Sequence, residues 1–169
     1  MKIVLIGFMC SGKSKVGRLL AKKIGWTFLD TDELIIKDEG LSIAELIRSK
    51  GEPVFREYEK RAVHRVSARD EAVIATGGGV PLYEENMKKL SQGSEIVWLK
   101  VSPETVLSRA GDLKSRPLID PDHPLESIKQ RLKDREPFYA QAHHMIECDG
   151  KSPHEVVDLI LSVIPQIHP

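Results

Sequence analysis

The sequence has no surplus of charge of either sign: 25 Lys and Arg stand against 25 Asp and Glu, for a formal net charge of zero. Binders of nucleic acid or membrane surfaces usually carry a basic excess, so neither partner is expected. Cysteine is scarce too. Cys10 and Cys148 are too few for a disulfide framework and lack metal-ligand spacing. They read as reduced thiols, which makes a cytoplasmic location the expectation. Long apolar runs are missing. The start is apolar only over Ile3–Ile6 before Gly7, too short for the apolar region of a signal peptide. The later stretch Val156–Ile164 is interrupted by Asp158 and Ser162 and falls short of the roughly 20 residues that span a bilayer. No internal repeat, low-complexity tract or linker divides the chain, and the six histidines show no ligand pattern.

What is present reads as one α/β domain over residues 1–169. Hydrophobic residues make up 41% and charged residues 30%, as in an ordinary globular protein. A chain of 169 residues buries about two-thirds of its unfolded surface and needs no staples. Short apolar runs at Lys2–Ile6, Thr27–Asp30, Ala72–Thr76, Glu95–Val101 and Met145–Cys148 predict strands. Helices are predicted between them. Ser14–Ile24 has apolar residues at helical spacing and stops at Gly25. Asp32–Glu39 ends at Gly40, Ser42-Ile43-Ala44-Glu45 is a capping box, and Pro53–Ala68 continues as a helix. Glu84–Leu90, a segment opened by Ser102-Pro103, Leu125–Ala142 and a last helix capped at Ser152-Pro153 complete the set. Gly111–Pro124, with three prolines, reads as a long surface loop of the kind that forms a lid. Alternating strands and helices argue for a parallel sheet covered on both faces.

Gly7-Phe8-Met9-Cys10-Ser11-Gly12-Lys13-Ser14 matches the pattern G-x-x-x-x-G-K-[ST], between the first strand and an amphipathic helix. The glycines let the backbone curl until successive N–H groups point at phosphate oxygens, and the helix start adds its positive dipole end. Lys13 then reaches the β and γ phosphates and the Ser14 hydroxyl binds Mg²⁺. The expected ligands are therefore ATP and Mg²⁺, cradled by Gly7, Cys10, Ser11, Gly12, Lys13 and Ser14. Cys10 stands where the loop needs a small residue, and modification of its thiol would block the nucleotide.

Asp30 and Asp32 lie where the second strand ends, and ligands of open α/β sheets bind beyond such ends. Carboxylates there hold a hydroxyl nucleophile, contact Mg²⁺ through water, or simply cap a helix. Gly77-Gly78-Gly79 follows the third strand and allows close backbone approach to a ligand; a plain turn is the alternative. Arg56 and Arg135 offer guanidinium forks that match a carboxylate, unless they are surface arginines in helical ion pairs. Arg116, inside the expected lid, is placed to swing over a transferring phosphate.

These segments, with Phe55-Arg56-Glu57, Arg116-Pro117-Leu118 and Arg135-Glu136-Pro137-Phe138-Tyr139, resemble the shikimate kinase family in order and spacing over nearly the whole chain. The resemblance implies a three-layer α/β/α P-loop fold like that of nucleoside monophosphate kinases. It has a five-stranded parallel sheet, a substrate-binding helical region near residues 32–61 and a mobile lid at 111–124. It implies ATP-dependent phosphorylation of the 3-hydroxyl of shikimate by a monomer. By the same resemblance Asp32 holds the substrate hydroxyl, Asp30 lies near Mg²⁺, and Arg56 and Arg135 clamp the carboxylate. Gly77, Gly78 and Gly79 contact substrate, Arg109 stacks on adenine, and Lys151 and Pro153 face the other side of the base. Two positions depart from the family. Lys15 stands where threonine is more common, and Ile47 where some members place an aromatic residue. A gluconate-type hydroxy-acid kinase, or a non-catalytic nucleotide-binding module, are the alternatives.

Overall fold

The structure, a computed structural model, describes residues 1–167. The chain runs β1 (Lys2–Ile6), α1 (Lys13–Ile24), β2 (Thr27–Asp30), α2 (Thr31–Glu39), α3 (Ile43–Lys50), α4 (Glu52–Ser67), β3 (Ala72–Ala75) and α5 (Glu84–Leu90). It continues with β4 (Ser94–Lys100), α6 (Pro103–Arg109), α7 (Pro124–Tyr139), β5 (His144–Glu147) and α8 (Pro153–Val163). The strands form one five-stranded sheet in the order β2-β3-β1-β4-β5. Every pairing is parallel, with Leu5 opposite both Ala75 and Val97.

Local chemistry sets the ends of these elements. Gly25 closes α1 in the left-handed conformation that a β carbon disfavours. Ser42 and Ser152 open α3 and α8 with complete capping boxes, and Ser102 caps α6 ahead of Pro103. Strand β1 is buried at all five residues, as a central parallel strand must be. Its Ile3, Leu5 and Ile6 pack with Leu20, Val63, Ile74, Leu99, Ile128 and Ile160, from both faces of the sheet, in the main core. Each such side chain contributes about 1.5–3 kcal/mol by leaving water. A second, smaller core of Ile35, Leu46, Phe55 and Ala62 binds α2, α3 and α4 together.

The expected elements form, with shifts at their ends. Strand β3 stops at Ala75; Thr76 leaves the ladder but still donates through both its N–H and its hydroxyl to the Leu5 carbonyl, each at 3.2 Å. Helix α7 begins one residue early, at Pro124, where a missing N–H costs nothing. It ends at Tyr139 rather than Ala142, shortly after Pro137, which has no N–H for the helical ladder. Two short 3₁₀ turns, Val80–Leu82 and Leu113–Ser115, fall where a turn and a loop are expected.

The carboxyl ends of β1, β2 and β3 lie side by side. The chain leaves them at Gly7, at Asp30 and just before Gly77, so the three candidate segments share one edge of the sheet.

Candidate active site

The loop from Gly7 to Gly12 is curled. Gly7, Cys10 and Gly12 have φ of 145°, 61° and 93°. Gly7 admits no side chain, because a β carbon there would stand 2.6 Å from the Leu99 carbonyl oxygen. The loop closes around Lys13, whose Nζ donates to the carbonyls of Gly7 at 2.9 Å and Phe8 at 2.7 Å, and to Ser11 Oγ at 3.3 Å. Burial pulls the Lys13 ammonium down to about 8, against the opposing pull of the Asp32 and Asp30 carboxylates.

Ser14 Oγ donates to Asp30 Oδ2 at 2.6 Å. The other oxygen of Asp30 accepts the N–H groups of Asp32 at 2.9 Å and Glu33 at 3.3 Å, capping α2. Asp30 therefore performs the helix-capping role and also faces Ser14 in the first turn of α1. Two hard oxygen donors side by side fit Mg²⁺, which takes few protein ligands and keeps several waters.

Asp32 is different. Its Oδ1 is buried and has no hydrogen-bond partner among the described residues. Burial pushes its carboxyl up to about 7, reinforced by the like charges of Glu59 and Asp30 and opposed by Lys13 and Arg56. An unpartnered buried acceptor is costly and calls for a donor from a ligand.

Asp32 lines a cleft of about 150 Å³ together with Arg56, Glu59, Gly77, Gly78, Gly79, Arg116 and Arg135. Arg56 and Arg135 thus reach one cleft from helices distant in sequence. Arg56 also makes the ion pairs its helical spacing allows, to Glu52 at 2.8 Å and Glu59 at 2.5 Å. These fix its guanidinium rather than drawing it to the surface. Arg135 is buried, with its guanidinium carbon 5.3 Å from the Phe8 ring centroid. Two glycines of the triplet leave room for charged groups of the cleft: a β carbon on Gly77 would meet Glu59 Oε1 at 2.5 Å and Asp32 Oδ1 at 2.8 Å, and one on Gly79 would run into the Arg56 guanidinium. Ile43, Ile47, Phe55, Pro117 and Leu118 supply the apolar wall, so Ile47 keeps it apolar without an aromatic ring.

A second cavity, of about 450 Å³, opens beside the loop. It is lined by Cys10, Ser11, Gly12, Lys15, Arg109, Lys151 and Pro153, and again by Arg116. Arg109 Nη1 donates to the Cys10 carbonyl at 3.2 Å and Arg116 Nη2 to Cys10 Sγ at 3.5 Å. Arg116 is the residue common to both cavities, and its buried Nε has no partner among the described residues.

The sequence model of the family described as shikimate kinase matches residues 9–165. The chain belongs to the shikimate kinase family. It is 52% identical over 149 residues to the shikimate kinase of Moorella thermoacetica, covering 88% of this chain and 86% of that one. It is 42% identical to the shikimate kinase of Persephonella marina, covering 96% and 98%. Among solved structures, the shikimate kinase of Acinetobacter baumannii in complex with shikimate superposes with a TM-score of 0.93 at 34% identity, covering 98% of this chain and 93% of that chain. That of Aquifex aeolicus gives 0.86 at 39% identity, covering 98% and 96%.

Within this shikimate kinase fold the structure adds residues that the motifs did not single out. Glu59 is almost wholly buried between Arg56 and Gly77, and burial raises its carboxyl pKa against the pull of Arg56. Its three-residue spacing from Arg56 was the available signal. Tyr139 donates from its hydroxyl to the Gly78 carbonyl at 2.7 Å and so holds the triplet. Cys148 and Val156 line the outer cavity, and burial pushes the Cys148 thiol up to about 11. Nothing in the local sequence marks these two.

Proposed function

We infer that this chain transfers the γ-phosphoryl group of ATP to the 3-hydroxyl of shikimate, giving shikimate 3-phosphate and ADP. The observation that carries this reading is the position of Arg116, lining both an acceptor cleft with two arginines and a carboxylate and a cavity beside the phosphate-binding loop.

The roles of the residues follow from where they stand. The amides of Gly7–Ser14 and the Lys13 ammonium take the phosphates, and Arg109, Lys15, Lys151 and Pro153 border the cavity for the rest of the nucleotide. Ser14 and Asp30 would hold Mg²⁺, directly and through water, and its charge would offset that of the phosphates. Arg56 and Arg135 take the carboxylate of the acceptor, while Gly77, Gly78 and Gly79 bring backbone close to its ring. Asp32 Oδ1, lacking a donor, accepts the acceptor hydroxyl and its proton; a carboxyl titrating near the working pH suits that task. Arg116 stabilises the charge of the transferring group, and positioning with electrostatics accounts for most of the acceleration.

The reading includes one domain, with residues 32–61 as the acceptor-binding region and 111–124 as a lid. Ser115, Arg116, Pro117 and Leu118 of that segment already wall the cleft. Closure would exclude the water that competes for the phosphoryl group. No helix among the described residues is long and apolar enough to cross a membrane. A cytoplasmic monomer acting on a small molecule is part of the same proposal.

A coupled ADP-release assay against shikimate, gluconate and other hydroxy acids tests it. Turnover with shikimate and little with gluconate is expected; a preference for gluconate overturns it, and tight ATP binding with no product favours a non-catalytic module.

A further inference from the structure

We propose that the chain carries a second ligand site, for a small aromatic carboxylate, in the cavity between β4 and α7. This cavity measures about 380 Å³ and, among the described residues, shares no lining residue with either cavity of the candidate active site. That volume lies within the roughly 300–1,000 Å³ of small-molecule sites.

Its floor is apolar, built on Phe8, Trp98, Leu132 and Val101, with Lys100 Nζ over the Trp98 ring at 5.4 Å from its centroid. Trp98 is braced by Tyr139, with ring centroids 5.8 Å apart. The rim is charged, and its charges are unequally engaged. Glu136 and Glu147 face Lys100 at 3.9 and 3.5 Å, and both oxygens of Asp149 lie 3.1 Å from the Ser102 N–H nitrogen. Lys129 and Lys133 also line the cavity, yet neither makes a hydrogen bond or ion pair among the described residues. They stand four residues apart on α7, where like charges repel. An anion between them relieves that repulsion. A bare inorganic anion would leave the apolar floor unused, and a neutral ring would leave the lysines unused. A flat apolar body bearing one carboxylate uses both.

The site is joined to the acceptor cleft through Phe8. The ring of Phe8 lies against the Arg135 guanidinium, and its carbonyl accepts from Lys13 Nζ at 2.7 Å. Helix α7 carries Lys129 and Lys133 as well as Arg135. A ligand that holds α7 against Phe8 therefore changes the affinity for the acceptor, and the acceptor changes the affinity for the ligand by the same factor.

The probe is phenylacetate. The chain has two tryptophans, so Trp26→Phe leaves Trp98 as the sole reporter. Phenylacetate is titrated in the presence of saturating shikimate and ADP, which occupy the active site. A saturable change in Trp98 emission is expected, absent with acetate. The double variant Lys129→Gln, Lys133→Gln should weaken phenylacetate binding about three- to tenfold, the scale of one to two exposed ion pairs. In the unmodified chain phenylacetate should shift the KM for shikimate. In the double variant it should not, with the KM in its absence unchanged. Calorimetry on the unmodified chain replaces fluorescence if Trp26→Phe fails to fold. No saturable response, a response indifferent to the two lysines, or an apparent Kd for phenylacetate that rises without limit as shikimate is raised, as for competition at one site, overturns the proposal. Because the binding arm needs no turnover, its failure is distinct from failure of the kinase assignment.

Discussion

A β carbon built on Gly77 would stand 2.8 Å from Asp32 Oδ1, so the backbone leaving β3 touches the carboxylate that α2 presents to the acceptor cleft. The same β carbon would meet Glu59 Oε1 at 2.5 Å. One glycine thus packs against two acids of the cleft. Glu59 is 1% exposed and cannot swing into water to make room. Gly77→Ala is expected to push Asp32 out of line and lower kcat/KM for shikimate by about a hundredfold, as an error near 1 Å does elsewhere. ATP affinity should stay within a few-fold, because the phosphate loop is not involved. Steady-state kinetics and nucleotide titration on the same variant check this.

The glycine triplet was legible in the sequence as a place of close approach, but what approaches it was not. Three glycines after a strand report only that side chains are excluded. Glu59 was hidden in a different way: its three-residue spacing from Arg56 on a helix reads first as a surface pair. The smaller core of Ile35, Leu46, Phe55 and Ala62 draws that face of α4 inward. The curl of the loop from Gly7 to Gly12 was legible because its cause is local, a matter of glycines, one lysine and one helix start. The outer cavity was legible at Cys10, Ser11 and Gly12 through the loop motif, and at Arg109, Lys151 and Pro153 through the family resemblance. Cys148 lines it because β5 pairs with β4, a long-range fact with no local mark.

The elevated Asp32 carboxyl makes a prediction about pH. Its folded pKa, about 7, lies above its ordinary value of 3.8, chiefly through burial and then through the charge of Glu59. The folded chain therefore holds a proton that the unfolded chain releases between these values. That stability is complete below the lower value and lost as pH rises through the upper one. Asp32→Asn should melt higher than the unmodified chain, by a margin that grows from about pH 4 to about pH 7 and then levels. Activity should rise with pH over the same acid limb, because the carboxylate form accepts the hydroxyl proton. Glu59→Gln should move that limb to lower pH. Thermal melts and pH–rate profiles decide it; a limb unmoved by Glu59→Gln counts against coupling of the two acids.

Arg135 and Arg116 should separate in kinetics. Arg135→Ala removes one of the two guanidinium groups proposed to hold the carboxylate and should raise the KM for shikimate about a hundredfold, the cost of unpairing a buried charge. Its kcat should change less. Arg116→Ala removes charge from the position between the two cavities and should lower kcat about a hundredfold or more, with smaller changes in either KM. A normal KM in the Arg135 variant would count against the clamp.

The most direct test of the account is to incubate the chain with ATP, Mg²⁺ and shikimate and resolve the products by mass and phosphorus NMR. The account predicts shikimate phosphorylated at the 3-hydroxyl in step with ADP, and almost none from Lys13→Ala. ADP formed without phosphorylated shikimate, or a phosphate on another hydroxyl, would contradict it.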